Sequence, residues 1–135
     1  MIIKVIQENR LRKKNNMFVD VLGTQYKVIV KKYDEDEAFA RRSIDGYCDS
    51  YKKEIVVCDM NTYKGWEHED EETKVICQKQ ILRHEITHAF LSESGLADSS
   101  ATFDCGWAKN EEMVDWIALQ GIKIYNAWQQ ADCIE

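Results

Sequence analysis

Short apolar runs separated by turn residues fill the first half of the chain. Met17 to Leu22 and Gln25 to Val30 (Q-Y-K-V-I-V) flank Gly23-Thr24. Two β-prone runs around such a pair predict a hairpin. Ile44 to Tyr51 (I-D-G-Y-C-D-S-Y) and Glu54 to Cys58 (E-I-V-V-C) face each other across Lys52-Lys53 and predict a second. Ile2 to Ile6 reads as another short apolar strand, and Tyr33 to Ala40 as an acidic stretch that turns helical or irregular.

The second half reads as helix. The acidic entry Glu67 to Thr73 suits the positive end of a helix dipole. A helix is expected from about Asp70 to Ser94, with Gly95 as the residue that ends it. Leu96 to Ala108 reads as a loop. Asn110 is a good N-cap for a helix continuing to about Gln129. Strands followed by helices make the fold class α+β.

Composition narrows the function. The 135 residues suit one domain with a real core, spanning 1–135, with no proline and no linker composition to divide it. Eighteen basic against twenty-four acidic residues leave a net charge of −6, which argues against a nucleic-acid surface. The basic run Arg10 to Lys14 reads as a solvated turn. No window suits a signal peptide or a membrane span. Five cysteines (Cys48, Cys58, Cys77, Cys105 and Cys133) without C-x-x-C spacing suggest reduced thiols and a cytoplasmic protein.

The chemistry lies in L-R-H-E-I-T-H-A-F-L, Leu82 to Leu91, which holds two of the three histidines. Residues four apart on a helix stack on one face, so His84 and His88 can offer two imidazole nitrogens to one point. Glu85 sits one residue round the helix, within reach of a water on a metal. This is H-E-x-x-H, with Glu85 as general base. A helical projection puts Lys79, Gln80, Arg83 and Thr87 on a solvated sector. Val75, Leu82, Ile86 and Ala89 fall on a buried one, and the histidines point inward beside Cys77, Ile81 and Leu91. Two inward imidazoles need partners, and zinc supplies one.

A third donor must come from elsewhere: Glu93, Asp98, Asp104, Cys105, Glu111, Glu112 or Asp115. His68, in an acidic run, reads as an exposed residue. On the second helix Glu111 shares a face with Asp115, Ala118 and Ile122, and Glu112 shares one with Gln120 and Lys123. The projection therefore sends Glu111 inward to the metal, with Glu112 as the substitute. Asp115, one turn on, is placed to accept from the far nitrogen of a ligand histidine.

H-E-I-T-H followed by N-E-E-M-V-D resembles the gluzincin metallopeptidases, whose pattern is H-E-x-x-H and then N-E-x-x-x-D on the next helix. The resemblance covers roughly Thr73 to Leu119. In size the chain is nearest to the minimal ImmA/IrrE-type and phage-encoded metallopeptidase-like proteins. It implies metal ligands at His84, His88 and Glu111, a catalytic base at Glu85 and a supporting aspartate at Asp115. It also implies Zn2+ as cofactor and a peptide or protein as substrate. The fold implied is a small twisted, mostly antiparallel sheet on a long active-site helix, with Glu54 to Cys58 as the strand near the cleft. Larger relatives steady the oxyanion with a further Tyr or His, for which Tyr47, Tyr51, Tyr63 and His68 are the candidates here. The alternative readings are a regulatory module that kept the metal and lost turnover, and a structural zinc domain closed by Asp104 or Cys105.

Overall fold

In a computed structural model of the chain, residues 17–100, 106–132 and 134 are described. The expected strand at Ile2 to Ile6, the basic run Arg10 to Lys14, and Asp104, Cys105 and Cys133 lie outside them. The elements are strands β1 (Met17–Val21), β2 (Thr24–Lys31), β3 (Gly46–Asp49) and β4 (Glu54–Cys58), and helices α1 (Glu37–Arg42), α2 (Glu71–Glu93), α3 (Leu96–Ser99) and α4 (Glu111–Gln130). This is the expected α+β class.

The strands form one sheet in the order β1-β2-β4-β3. β1 and β2 make the first predicted hairpin, closed by the Val21–Thr24 pair. Its turn is Leu22-Gly23, one residue earlier than Gly23-Thr24. Both turn residues have positive φ, 53° and 86°, as a two-residue hairpin that follows the strand twist requires. β3 and β4 form the second hairpin, antiparallel, with Gly46 opposite Val57 and Cys48 opposite Ile55. The pairing between β2 and β4 is parallel, so the sheet is mixed.

The chain leaves β2 through a short 3-10 turn (Tyr33–Glu35) and α1 before returning as β3. Asp36 caps α1 by accepting from the Ala38 amide at 3.0 Å. It also takes the Lys31 ammonium at 2.8 Å and the Tyr47 hydroxyl at 2.7 Å. Burial pushes this carboxyl up, but the Lys31, Tyr47 and Ala38 donors outweigh it and hold the group at about 2.

The core gathers Tyr26, Val28, Phe39, Ile55, Val56, Val57, Cys58 and Met60 with Ile81 and Ala89 of α2. β4 is buried at both parities because it is an interior strand covered on both faces. Gly46 faces α2, and the alternation of strand side chains turns Tyr47 to the opposite face, against Asp36 and Phe39.

α2 begins at the Asp70 cap, which accepts from the Thr73 amide at 2.7 Å, and ends at Ser94 before Gly95 (φ 81°). Its last turn is tied to the sheet. Glu93 accepts from the Lys53 ammonium, from the Tyr26 hydroxyl at 3.0 Å and from Thr24 at 3.4 Å. The expected loop after it holds α3 and a 3-10 turn at Trp107–Lys109. α4 then starts where expected, with the Asn110 side chain accepting from the Met113 amide at 2.9 Å.

The Asp36 network gives a pH signature. A carboxyl held below its ordinary value of 3.8 contributes stability above that value and loses it as pH falls through its folded pKa. Asp36→Ala is expected to cost roughly 1–3 kcal/mol at neutral pH, from the lost cap and two unpaired donors. Urea unfolding between pH 7 and 2 checks it: the gap from wild type should close between about 4 and 2. A gap independent of pH would contradict it.

Candidate metal centre

α2 is packed on two sides, against β3 and β4 on one and against α4 on another. Its sheet-facing stripe is Ile81, Glu85 and Ala89, at 7%, 5% and 0% exposure, a spacing of four that keeps one face. Glu85 is therefore the buried member of H-E-x-x-H. His84 and His88 are partly buried, in the angle between the sheet and α4.

Two assignments from the helical projection are corrected. Val75 is 44% exposed, because the first turns of α2 extend past the sheet. Arg83 is half-buried, not on a solvated face, and its Nε donates to the Ala118 carbonyl of α4 at 2.8 Å. A projection with one buried sector fails on a helix that has two.

The three donor atoms predicted to bind metal converge. His84 Nε2 lies 3.1 Å from His88 Nε2 and 3.1 Å from Glu111 Oε2, and His88 Nε2 lies 3.3 Å from Glu111 Oε2. Tetrahedral zinc at 2.0–2.1 Å from each donor spaces its donors about 3.3 Å apart. His84 Nδ1 is 2.7 Å from Asp115 Oδ1, the outer contact that fixes an imidazole tautomer. Glu85 Oε1 stands 3.9 Å from His84 Nε2.

Proton bookkeeping tests the fit. With His84 Nδ1 donating to Asp115, Nε2 is left as an acceptor. Glu111 Oε2 is an acceptor too. His88 Nε2 can bring one hydrogen, which serves only one of them. Acceptors this close are relieved either by a further proton between them or by a shared cation, and the set of two imidazoles, one carboxylate and a neighbouring acid could hold zinc.

Glu111 and Asp115 reach these positions for a different reason from the one expected. Their side chains are 66% and 57% exposed, and Ile122 is 53% exposed. Among the described residues the buried positions of α4 are Val114 and Ala118. α4 packs on α2 through those small side chains, and the acids flank the contact on the open side of the cleft. Glu112 is exposed and has no partner among the described contacts of the histidines. Glu93 belongs to the sheet lock, and Asp98 is exposed on α3.

Burial pushes the Glu85 carboxyl up, against the pull of His84 and with help from Asp45 and Glu111, to about 7. Burial lowers His88, which Glu111 partly offsets. Asp45, which the sequence reading passed over, lies in the same electrostatic neighbourhood. Its carboxyl is raised by burial, with His84 opposing and Asp115 adding.

The edge strand β3 presses on Glu85 through Gly46, while β4, the strand expected near the cleft, packs on α2 from the next place in the sheet. A Cβ at Gly46 would meet Ile81 Cγ2 at 2.8 Å, the Val56 carbonyl at 3.0 Å and Glu85 Cγ at 3.3 Å. A lone glycine within a strand often marks such a close approach, and that signal was available in I-D-G-Y.

None of the oxyanion candidates stands at the site. Tyr47 is bound to Asp36, Tyr51 is 97% exposed on the hairpin turn, and Tyr63 packs edge-on against Tyr33. His68 pairs with Glu69 on the surface. Cys48, Cys58 and Cys77 are free thiols, and burial pushes Cys48 and Cys58 up to about 12. No helix among the described residues is long and apolar enough to cross a membrane.

Comparison of the chain with protein-family models, curated proteins and solved structures finds no match. The gluzincin resemblance therefore rests on the residues themselves.

The close approach at Gly46 yields a test. Gly46→Ala is expected to lower stability by about 1–3 kcal/mol, as overpacking does, read as a lower urea midpoint at unchanged slope. An unchanged midpoint would mean that β3 does not press on α2 at Ile81 and Glu85.

Proposed function

We propose that the protein is a zinc-dependent metallopeptidase of the gluzincin type, with His84, His88 and Glu111 as ligands and Glu85 as general base. The observation that carries this reading is the triangle of donor atoms, 3.1, 3.1 and 3.3 Å on its sides, beside a buried carboxylate. A bound zinc would supply an acidified water and charge stabilisation for the carbonyl oxygen of a peptide.

The chain's own residues do the rest. Asp115 holds the His84 ring by its Nδ1–H and keeps Nε2 free as a donor to metal. Glu85 accepts a proton from the attacking water and returns it to the leaving amine. Its burial suits that task, because a carboxyl raised towards neutrality can both take and give a proton. The exposed flank of Glu111 and Asp115 leaves the site open to a peptide or protein substrate.

The second reading is a regulatory module that binds zinc without efficient turnover. It is favoured by the placement of Tyr47, Tyr51, Tyr63 and His68 away from the histidines, which leaves the oxyanion without any of those helpers. A closed structural zinc site would need Asp104 or Cys105, both outside the described residues.

Variants separate these readings. Glu85→Gln is expected to keep stoichiometric zinc while peptide hydrolysis falls at least about a hundredfold. His84→Ala is expected to lose the metal, and Glu111→Ala to bind it measurably more weakly. Hydrolysis by Glu85→Gln at the wild-type rate would overturn the base assignment. A zinc-loaded wild type that cleaves no member of a peptide library would favour the regulatory module.

A further inference from the structure

Glu111 is an exposed side chain on a helix that must meet α2 within tenths of an ångström for its oxygen to complete the donor triangle. The apolar contact between the helices does not secure this. It runs through Val114 and Ala118 on α4, small side chains whose burial is non-directional. A slide of α4 by a fraction of an ångström, or a small rotation, would keep Val114 and Ala118 buried yet carry the Glu111 oxygen out of the triangle. Directional contacts must set the register.

Among the described residues two such contacts tie α4 to α2 besides the donor triangle. His84 Nδ1 meets Asp115 Oδ1 at 2.7 Å, and Arg83 Nε donates to the Ala118 carbonyl at 2.8 Å. Arg83 and His84 are consecutive on α2, while Asp115 and Ala118 are about one turn apart on α4. Adjacent side chains of one helix thus grip adjacent turns of the other. A buried helix carbonyl has a second lone pair beyond its own ladder bond, and a guanidinium donor makes a charge-assisted bond to it. Ala118 is 2% exposed, so water does not readily replace that donor. The Arg83 backbone is itself anchored in α2, its carbonyl accepting from Thr87 Oγ1 at 2.8 Å.

We propose that Arg83 is the positioning residue that sets the register of α4 on α2 and so delivers Glu111 to the two histidines. The inference rests on the metal-site reading above. Arg83 touches neither metal nor substrate; it acts through Glu111 and the Asp115–His84 contact. Neither H-E-x-x-H nor N-E-x-x-x-D includes it.

The test is a double-mutant cycle on the full chain, read as Zn2+ affinity by chelator competition. Arg83→Met keeps the apolar stem and removes the donor. It is expected to weaken zinc binding about tenfold in the presence of Glu111, and to add less than twofold in the Glu111→Ala background. Arg83→Lys, which retains a cationic donor, is expected to recover part of the loss. In metal-free protein, Arg83→Met should shift the His84 imidazole nitrogen signals as the bond to Asp115 loosens. Wild-type zinc affinity in Arg83→Met would overturn the register role while leaving the metal site standing. So would an equal loss with and without Glu111, the mark of general destabilisation. If wild type binds no zinc, the metal reading fails; an unchanged His84 spectrum in metal-free Arg83→Met would then refute the register role by itself.

Discussion

The site depends on α2 being gripped from two directions at once. The sheet takes the stripe Ile81, Glu85 and Ala89, and α4 takes the flank that carries Arg83 and the histidines. The histidines sit in the angle between these contacts. Glu85 is forced into the sheet side, where burial disfavours its charge, while Glu111 and Asp115 approach from the open side. One helix thus carries a desolvated acid and two converging imidazoles within about one turn, and their environments differ because their neighbours do.

The rest of the fold holds that geometry in place. The Glu93 lock with Lys53 and Tyr26 fixes the far end of α2 to the sheet. Gly46 lets the edge strand lie against Glu85, and the Asp36 cluster steadies the turn region from which β3 departs. These are polar or steric constraints on an otherwise ordinary apolar core. Each fixes an angle or a separation that hydrophobic burial alone would leave loose.

Much of this was legible in the chain. Both hairpins, the helix start near Asp70, the cap Asn110, the stop at Gly95 and the two long helices follow from local signals, whose physics is confined to a few neighbouring residues. The histidine spacing was legible for the same reason. What was lost is tertiary. A helical projection assumes one buried face, so it exposed Arg83, buried Val75 and missed that Glu85 faces the core. It placed Glu111 and Asp115 correctly relative to each other, since that follows from helix periodicity. It mistook their face for a buried one, since that depends on how α4 leans on α2. Asp45 escaped because nothing local marks a carboxylate that distant packing brings near the site.

The central claim is that side chains from two helices are arranged to share one cation. X-ray absorption at the zinc edge, on protein loaded with one equivalent of zinc, tests it most directly. The account predicts two imidazole nitrogens and a carboxylate oxygen at about 2.0–2.2 Å, with the oxygen contribution changed in Glu111→Ala. A first shell without histidine scattering, or one indifferent to Glu111, would contradict it.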